Sequence, residues 1–379
     1  MLFHLTKDIF ILIIILERWN DNLEPLDYLK KLEDKGYKAY IVGGYVRDML
    51  LGIESSDVDI ATNAKPFEVT DIFDESNQDN VGVVNIKTDK LNIDITTFRK
   101  ESKYIGHIPK KYSYVNDLET DLRRRDFTIN TICLNSKGEI VDLMGGRKDL
   151  DKHLLRCVGS IKYKFKEDPL RMLRALRFAI IYKLEIGKNE LIFIVNNKKL
   201  LNNVSYDRKK DEIGKILISK NAVEGLILIK NLGLLDILGI DFDRVVKVDD
   251  YIGMWAQLSF SDKYSFSRKQ MKRIEAIREI INNKEISKKT IFKYGYYDTF
   301  VASMILGYDE SYVGKLSKDM QIKSESDLEI TGDEIIKILK LDNNKKIKVI
   351  KNDIIKEILE NNIDNEKEKI IKYIEKKWK

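Results

Sequence analysis

The stretch "YIVGGYVRDMLLGIESSDVDIAT", residues 40–62, packs a bare backbone turn, an Arg-Asp pair and an Asp-Val-Asp triplet into one short segment. An apolar run ends at Gly43-Gly44, a helical pattern "YVRDMLLG" comes next, and a second strand-like run opens on Asp57. Side chains at i and i+2 of a strand share a face, so Asp57 and Asp59 project together. Two carboxylates held that close repel, and each raises the other's pKa unless a cation sits between them. Oxygen-only donors at this spacing suit Mg²⁺ rather than zinc. The two glycines before them allow backbone N–H groups to approach an anion, and a helix opening there favours phosphate. Arg47, one turn in, offers a forked guanidinium to the same phosphates, and Asp48 is expected to pair locally and hold the loop. A phosphate cradle ahead of an acid pair is the arrangement that nucleotidyl transfer requires.

Around this segment the first third of the chain reads as α/β. "KAYIVGG", "DVDIAT", "VGVVNIKT" and "LNIDITTF" are short, rich in Ile, Val and Thr, and bounded by turn formers. "PLDYLKKLEDKG" is helical, with Gly36 as its stop. In the last of the strands Ile93 and Ile95 alternate with Asp94 and Thr96, so Asp94 leaves the apolar face and becomes the candidate third acid if its strand pairs beside Asp57 and Asp59. From about residue 165 the period changes to that of helices, first in "EDPLRMLRALRFAIIYKL", later in "DEIGKILISKNAVEGLILIKNLGLLDIL", "ITGDEIIKILKL" and the Lys/Glu-rich tail "NEKEKIIKYIEKKWK". Four prolines in the whole chain suit a helical second half.

Composition sets outer bounds. At 379 residues with 43% apolar content, the chain is too long for one small core and divides into two to four packed units. A net charge of +6 permits nucleic acid without demanding it. Two cysteines, Cys133 and Cys157, exclude a disulfide framework and fit a reducing cytoplasm. His4, His107 and His153 lie far apart with no metal-ligand spacing, which argues against a zinc enzyme or a His-based hydrolase. The apolar run at 9–16 is too short to span a bilayer and is expected to pack on the first domain.

The opening stretch and four later segments together resemble the class II nucleotidyltransferases, the family of tRNA nucleotidyltransferases (CCA-adding) and bacterial poly(A) polymerases. "GGYVRDMLLGIESSDVDIAT" is similar to that family's GG-x-x-RD-x-x-LG and D-x-D signature. "DLRRRDFTINTI" (121–132), "DLMGGRKDLDKHLLRCVG" (142–159), "EDPLRMLRALRF" (167–178) and "VSYDRKKDEIGKIL" (204–217) resemble its later elements, in order. The resemblance covers about residues 24–220. It implies an α/β nucleotidyltransferase head with a mixed sheet at 24–145, a neck for base and primer recognition at 146–220, and an all-α body and tail at 221–379 that binds tRNA, with 1–23 as an extension. The resemblance places metal-binding carboxylates on Asp57 and Asp59, with Asp94 where the family often carries Glu. It places triphosphate and sugar contacts on Gly43, Gly44, Arg47, Arg125, Asp126 and Asn130, with Arg124 unranked against Arg125. The implied activity is transfer of CMP and AMP from CTP and ATP to the 3′ end of tRNA in the cytoplasm, with Mg²⁺ and without a membrane; no oligomeric state is implied.

The E-D-x-x-R element also has its own physical reading. Asp168 before Pro169 is an N-cap with a first-turn proline after it, and Asp168, Arg171, Arg174 and Arg177 recur at three-residue spacing along one helix face. An acceptor beside forked donors matches cytosine and adenine, each of which presents an amine next to a ring nitrogen. Uracil and guanine would leave that pair unsatisfied. Three positions depart from the family pattern. "YIGHIPKK" (104–111) is one residue short in a loop that the family uses to change from CTP to ATP, and lacks its usual acid and arginine. Asp207 stands for Glu, and Thr131 for Ala. A CC-adding or A-adding partial enzyme and a poly(A) polymerase are therefore the alternative activities, and a non-catalytic RNA-binding module the alternative from another class.

Overall fold

The computed structural model of the protein describes residues 25–73, 77–78, 82–105, 108–341 and 346–379. The 1–23 extension with its apolar run and His4, and also His107, lie outside these residues. Two compact units form: one runs to Glu212 and takes in Asn231–Ile237, the other holds Ile213–Lys230 and Leu238–Lys379. The expected head and most of the expected neck thus share the first unit. No helix among the described residues is long and apolar enough to cross a membrane.

The first unit is built on a mixed sheet. Its strands are β1 (Ala39–Val42), β2 (Asp57–Thr62), β3 (Asn77–Gln78), β4 (Val83–Lys87) and β5 (Asn92–Thr97). A separate hairpin pairs β6 (Arg99–Ile105) with β7 (Ile108–Tyr114), and β8 (Cys133–Leu134) and β9 (Ile140–Val141) complete the sheet. The order across the main sheet is β3-β4-β5-β2-β1-β8-β9, with β2 and β5 parallel and the other neighbours antiparallel. Period-2 alternation sets its two faces: Ile41, Val58, Ile60, Ile93 and Ile95 are buried on one side. The helices Pro25–Asp34 and Pro66–Ile72 pack beside these strands. The first of them buries Leu26, Leu29 and Leu32 and stops before Gly36, whose φ of 86° only glycine adopts at no cost.

The opposite face is apolar only in part. There Val42, Ala61, Phe98 and Cys133 pack against Leu118 and Leu122 of the helix Leu118–Arg124. Asp117 caps that helix by accepting from the Thr120 N–H at 2.8 Å. Docking of this helix on the face that carries Asp59 delivers its C-cap residue, Arg125, to that acid. Burial pushes the Cys133 thiol up to about 12, and the buried Cys157 thiol is raised as well.

After this helix, the backbone at Asp126–Thr128 is pinned to the strip 156–158. Thr128 N–H donates to Arg156 O at 2.9 Å and Val158 N–H to Asp126 O at 3.0 Å. The side chains repeat the tie, since Thr128 Oγ1 and Arg156 Nε both donate to Asp149 Oδ2, at 2.5 and 2.9 Å. This is where the element similar to the family's hinge, Gly146-x-x-Asp149 to Arg156, makes its contacts. Gly146 passes so near the Thr128 carbonyl that a Cβ would lie 2.1 Å from its oxygen.

The second unit is helical, as the sequence period predicts. Its helices include Arg268–Asn283, Tyr296–Leu306, Ile347–Leu359 and Lys367–Trp378. Trp255 is fully buried there against the rings of Phe260, Tyr264 and Phe266. Sequence periodicity does not reveal β8, β9 or the β6–β7 hairpin: the first two are strands of two residues each, and the hairpin is rich in polar residues.

Gly146→Ala is expected to lower the urea midpoint by the equivalent of about 1–3 kcal/mol, because backbone rather than a flexible side chain must yield. Gly36→Ala, with nothing within 4 Å of the new Cβ, carries only the backbone penalty, about 1 kcal/mol. Equal midpoints for the two variants would contradict the close approach.

Candidate active site

The parallel pairing of β2 with β5 puts Asp59 directly opposite Asp94 and Asp57 opposite Asn92. Burial of Val58, Ile60, Ile93 and Ile95 on one face leaves all three carboxylates on the other. The strand pairing is thus as expected, but the side chains do not close into one ligand set. Among the described residues no three His, Cys, Asp or Glu side chains are gathered as a metal cluster. Each outer carboxylate instead accepts from an asparagine on the same face: Asp57 Oδ1 from Asn92 Nδ2 at 2.9 Å, and Asp94 Oδ1 from Asn85 Nδ2 at 2.6 Å. Both asparagines sit in the alternating pattern of their strands, which is the one signal in the sequence that marks them.

Asp59 between them is reached by solvent yet has protein on most sides, and this desolvation raises its pKa. The Arg125 charge lowers it, Asp94 and Asp57 raise it, and Arg47 lowers it, with the balance upward. A carboxylate held by the fold where it resists ionisation, with two more acids alongside, gains from a cation. The donors are oxygen only, so the residues fit a hard divalent ion such as Mg²⁺.

The glycine turn lies against this acid. Gly43 has φ 86° and ψ −132°, and a Cβ on it would stand 3.1 Å from Asp59 Oδ2 and 3.4 Å from Arg125. No other residue fits both the backbone and the space. Gly44 opens the helix Gly44–Leu50. The Arg-Arg-Asp triplet divides at this point. Arg124 is spent on Asp121 at 2.8 Å and Glu101 at 3.5 Å. Arg125 faces Gly43 and Asp59, touches Asp121 only at 3.5 Å, and keeps its Nε without a hydrogen-bond partner. Arg125 is therefore the arginine of the triplet that faces the glycine turn and the acids.

Behind the turn runs a buried polar relay. Arg47 Nε and NH2 donate to Asp48 Oδ1 at 2.9 and 2.8 Å, NH1 donates to Asn130 Oδ1 at 2.6 Å, and NH2 donates to Tyr182 Oη at 2.5 Å. Asn130 Nδ2 passes the chain on to Asp126 Oδ1 at 3.0 Å, and Asp126 Oδ2 accepts from Arg174 Nε at 2.8 Å. Burial raises the Asp126 pKa, but Arg174 and the hydrogen bonds from Asn130 and the Phe127 N–H outweigh it and hold the carboxyl well below the usual range. Arg174 also approaches Glu212 at 3.9 Å, and Arg177 Nε donates to Glu212 at 2.5 Å. Breaking such a buried pair costs about 3–5 kcal/mol.

The helix Leu170–Tyr182 carries Arg171, Arg174 and Arg177. Asp168 accepts from the Leu170 N–H at 3.2 Å, but it is not the expected N-cap: Pro169 holds that position and Asp168 closes the preceding helix Ile161–Glu167. Its forked partner is not Arg171 but Arg208, which reaches Oδ1 at 3.1 Å and Oδ2 at 2.8 Å. Arg171 instead donates to Lys164 O, Glu167 and Arg124 O at 3.3–3.4 Å. Helical spacing aligns Asp168 with Arg171, but Pro169 precedes the helix and Asp168 stays extended, with φ −141° and ψ 99°, which turns it toward Arg208. Tyr182 and Phe178 are site residues that sequence reasoning does not single out, although each lies one turn beyond an arginine or aromatic of the same helix.

The comparisons with known proteins agree with this geometry. A family model described as the poly A polymerase head domain matches residues 39–156, and one described as the probable RNA and SrmB-binding site of polymerase A matches 183–241. The CCA-adding enzyme of Limosilactobacillus reuteri is 43% identical over 201 residues, and there the chain spans about half the length of that relative (52% of this chain, 50% of the other). The CCA-adding enzyme of Ligilactobacillus salivarius is 30% identical over 387 residues, covering 93% of this chain and 96% of its own, and that of Bacillus pumilus is 30% identical over 380 residues, covering 91% and 95%. Among solved structures, the Bacillus stearothermophilus CCA-adding enzyme in complex with CTP superposes with a TM-score of 0.83 at 25% identity, covering 93% of this chain and 96% of the other. Full-length similarity of this kind, on a fold that sets paired acids beside a glycine turn, shows that the chain belongs to the CCA-adding enzyme family.

Proposed function

We propose that the protein is a template-independent tRNA nucleotidyltransferase that adds CMP and AMP from CTP and ATP to the tRNA 3′ end and releases pyrophosphate. The observation that carries this reading is the row Asp59–Asp94 with Asp57 beside it, set against Gly43 and Arg125. Asp57 and Asp59, joined by Asp94, would hold Mg²⁺, which when bound supplies charge neutralisation at the α-phosphate and activates the attacking hydroxyl. The Gly43-Gly44 turn, Arg47 and Arg125 receive the triphosphate. Asp126 and Asn130 stand behind the sugar, their own partners fixing their orientation. Asp168 and Arg171, with Arg174 and Arg177 further along, read the base edge: a carboxylate accepts the exocyclic amine shared by cytosine and adenine, and a guanidinium donates to the ring nitrogen beside it.

The helical second unit supports tRNA binding. Arg268, Lys269, Lys272, Arg273 and Lys293 line a cavity of about 520 Å³ there, with Asp298 as the acid among them. Such a cluster suits backbone phosphates read by shape and charge. A second reading, CC addition only, is favoured by one observation. Residues 104–111 lack the acid and arginine that the family uses in this segment, and Tyr104–Ile105 and Ile108–Lys111 pair as strands within the β6–β7 hairpin.

Purified protein with Mg²⁺ and tRNA lacking CCA, supplied with CTP, ATP or both, is expected to add three residues and stop when both are present. Two cytidines alone would establish the partial enzyme, an untemplated A run the polymerase, and no incorporation a binding module. Asp59→Asn is expected to lower the transfer rate by about 10²–10³-fold. Its folded-state pKa is raised, so the ionised group costs stability as pH rises through the unfolded value. The metal-free Asn variant is therefore expected to melt at or above the wild-type temperature near neutral pH. A lower melting temperature with full activity would refute the role. Asp168→Ala is expected to reduce the preference for CTP and ATP over UTP and GTP by about 5- to 100-fold while transfer persists. Undiminished selectivity in steady-state competition would remove Asp168 from base reading.

A further inference from the structure

The arginines assigned to the triphosphate and to the base meet around one aromatic ring. Phe178 is buried, and its ring centroid lies 5.1 Å from the guanidinium carbon of Arg47, 5.2 Å from that of Arg174 and 4.1 Å from that of Arg177. Tyr182, one helical turn on, stacks beside Phe178 at 6.0 Å with 22° between planes. Its own ring centroid is 4.3 Å from the Arg47 guanidinium, and its hydroxyl accepts from Arg47 NH2 at 2.5 Å. Phe127, in the segment that leads to Asn130, meets Phe178 edge-on at 5.7 Å.

Three guanidinium groups so near one another repel. Acids satisfy them from outside, Asp48 for Arg47, Asp126 for Arg174 and Glu212 for Arg177. On the inside the negative faces of two rings attract them and offset part of that repulsion. The rings belong to the helix that presents the base-reading arginines, whereas Arg47 belongs to the helix that opens on Gly44. We propose that Phe178 and Tyr182 are positioning residues that hold Arg47 in fixed register with Arg174 and Arg177, so that grip on the triphosphate and choice of base act as one unit. The inference rests on the assignment of Arg47 to the triphosphate made above.

Nothing in this arrangement requires either ring to touch nucleotide. Tyr182→Phe keeps the ring and removes one bond to Arg47. Phe178→Leu keeps most of the apolar volume and removes the ring shared by three cations. Phe178→Tyr restores that face.

The test is the equilibrium binding of CTP, CMP and UTP to the full-length protein, with folding checked by circular dichroism and thermal melting. Tyr182→Phe is expected to lower the CTP-to-CMP affinity ratio by about three- to tenfold, the size of an ordinary intramolecular hydrogen bond, with CMP binding nearly unchanged. Phe178→Leu is expected to lower both that ratio and the CTP-to-UTP ratio, and Phe178→Tyr to recover both. In a double-mutant cycle, Tyr182→Phe on an Arg47→Lys background is expected to add less than about a twofold further change in the CTP-to-CMP ratio. A general loosening of the fold would weaken CMP and CTP alike and leave the ratios untouched, and that result overturns the proposal. Additive effects of Tyr182→Phe and Arg47→Lys overturn it as well. If Arg47→Lys alone leaves the CTP-to-CMP ratio at the wild-type value, the triphosphate assignment itself has failed and the coupling falls with it. Should Phe178→Leu not fold, Tyr182→Phe and the cycle decide the matter alone.

Discussion

The register of one parallel strand pair underlies the rest of the first unit. β2 and β5 must align so that Asp59 faces Asp94, because a slip of one residue would send Val58 or Ile93 to the polar side and the acids into the core. Burial of the isoleucines and valines on the far side enforces that alignment with apolar area, at about 25 cal/mol per Å². The carboxylates are therefore held close by packing energy that they did not supply. The raised pKa of Asp59 is the electrostatic cost of that arrangement, and it leaves the site receptive to positive charge.

From this row the structure extends through directed polar contacts rather than through loops. Gly43 lies against Asp59, Arg125 closes over both, and the relay from Asp48 through Arg47, Asn130, Asp126 and Arg174 to Glu212 ties the turn to the helix Leu170–Tyr182. The contacts of Thr128 with Asp149, and the passage of Gly146 beneath its carbonyl, fix the segment that carries Asp126 and Asn130. Most acceptors in this relay already have donors, so the fold orients its arginines before any nucleotide arrives. Pre-organisation of this kind spares binding the cost of ordering long side chains.

Much of this was legible in the sequence because it rests on local periodicity. The alternation of Ile93, Asp94 and Ile95, the glycine turn before Arg47 and the helical run from Leu170 each state their geometry within a few residues. What stayed hidden depends on contacts far apart in the chain. Asp168 pairs with Arg208, about forty residues on, because an extended residue before Pro169 points away from the helix that spacing assigned it to. The division of labour between Arg124 and Arg125 depends on which of them meets Glu101 and which meets Gly43. Asn85 and Asn92 carry no charge, and only the pairing of β4, β5 and β2 shows them to be neighbours of acids.

The two thiols have a practical consequence. Cys133 lies in strand β8 with its thiol in the core, and Cys157 in the strip bonded to Asp126–Thr128, both shielded and both far less acidic than a free cysteine. Alkylating and maleimide reagents attack thiolates, so the native chain should present almost no background to them. Single cysteines introduced on exposed helices could then carry fluorophores or spin labels without first removing the natural pair. The two units could in this way be followed separately by spectroscopy while nucleotide and RNA come and go.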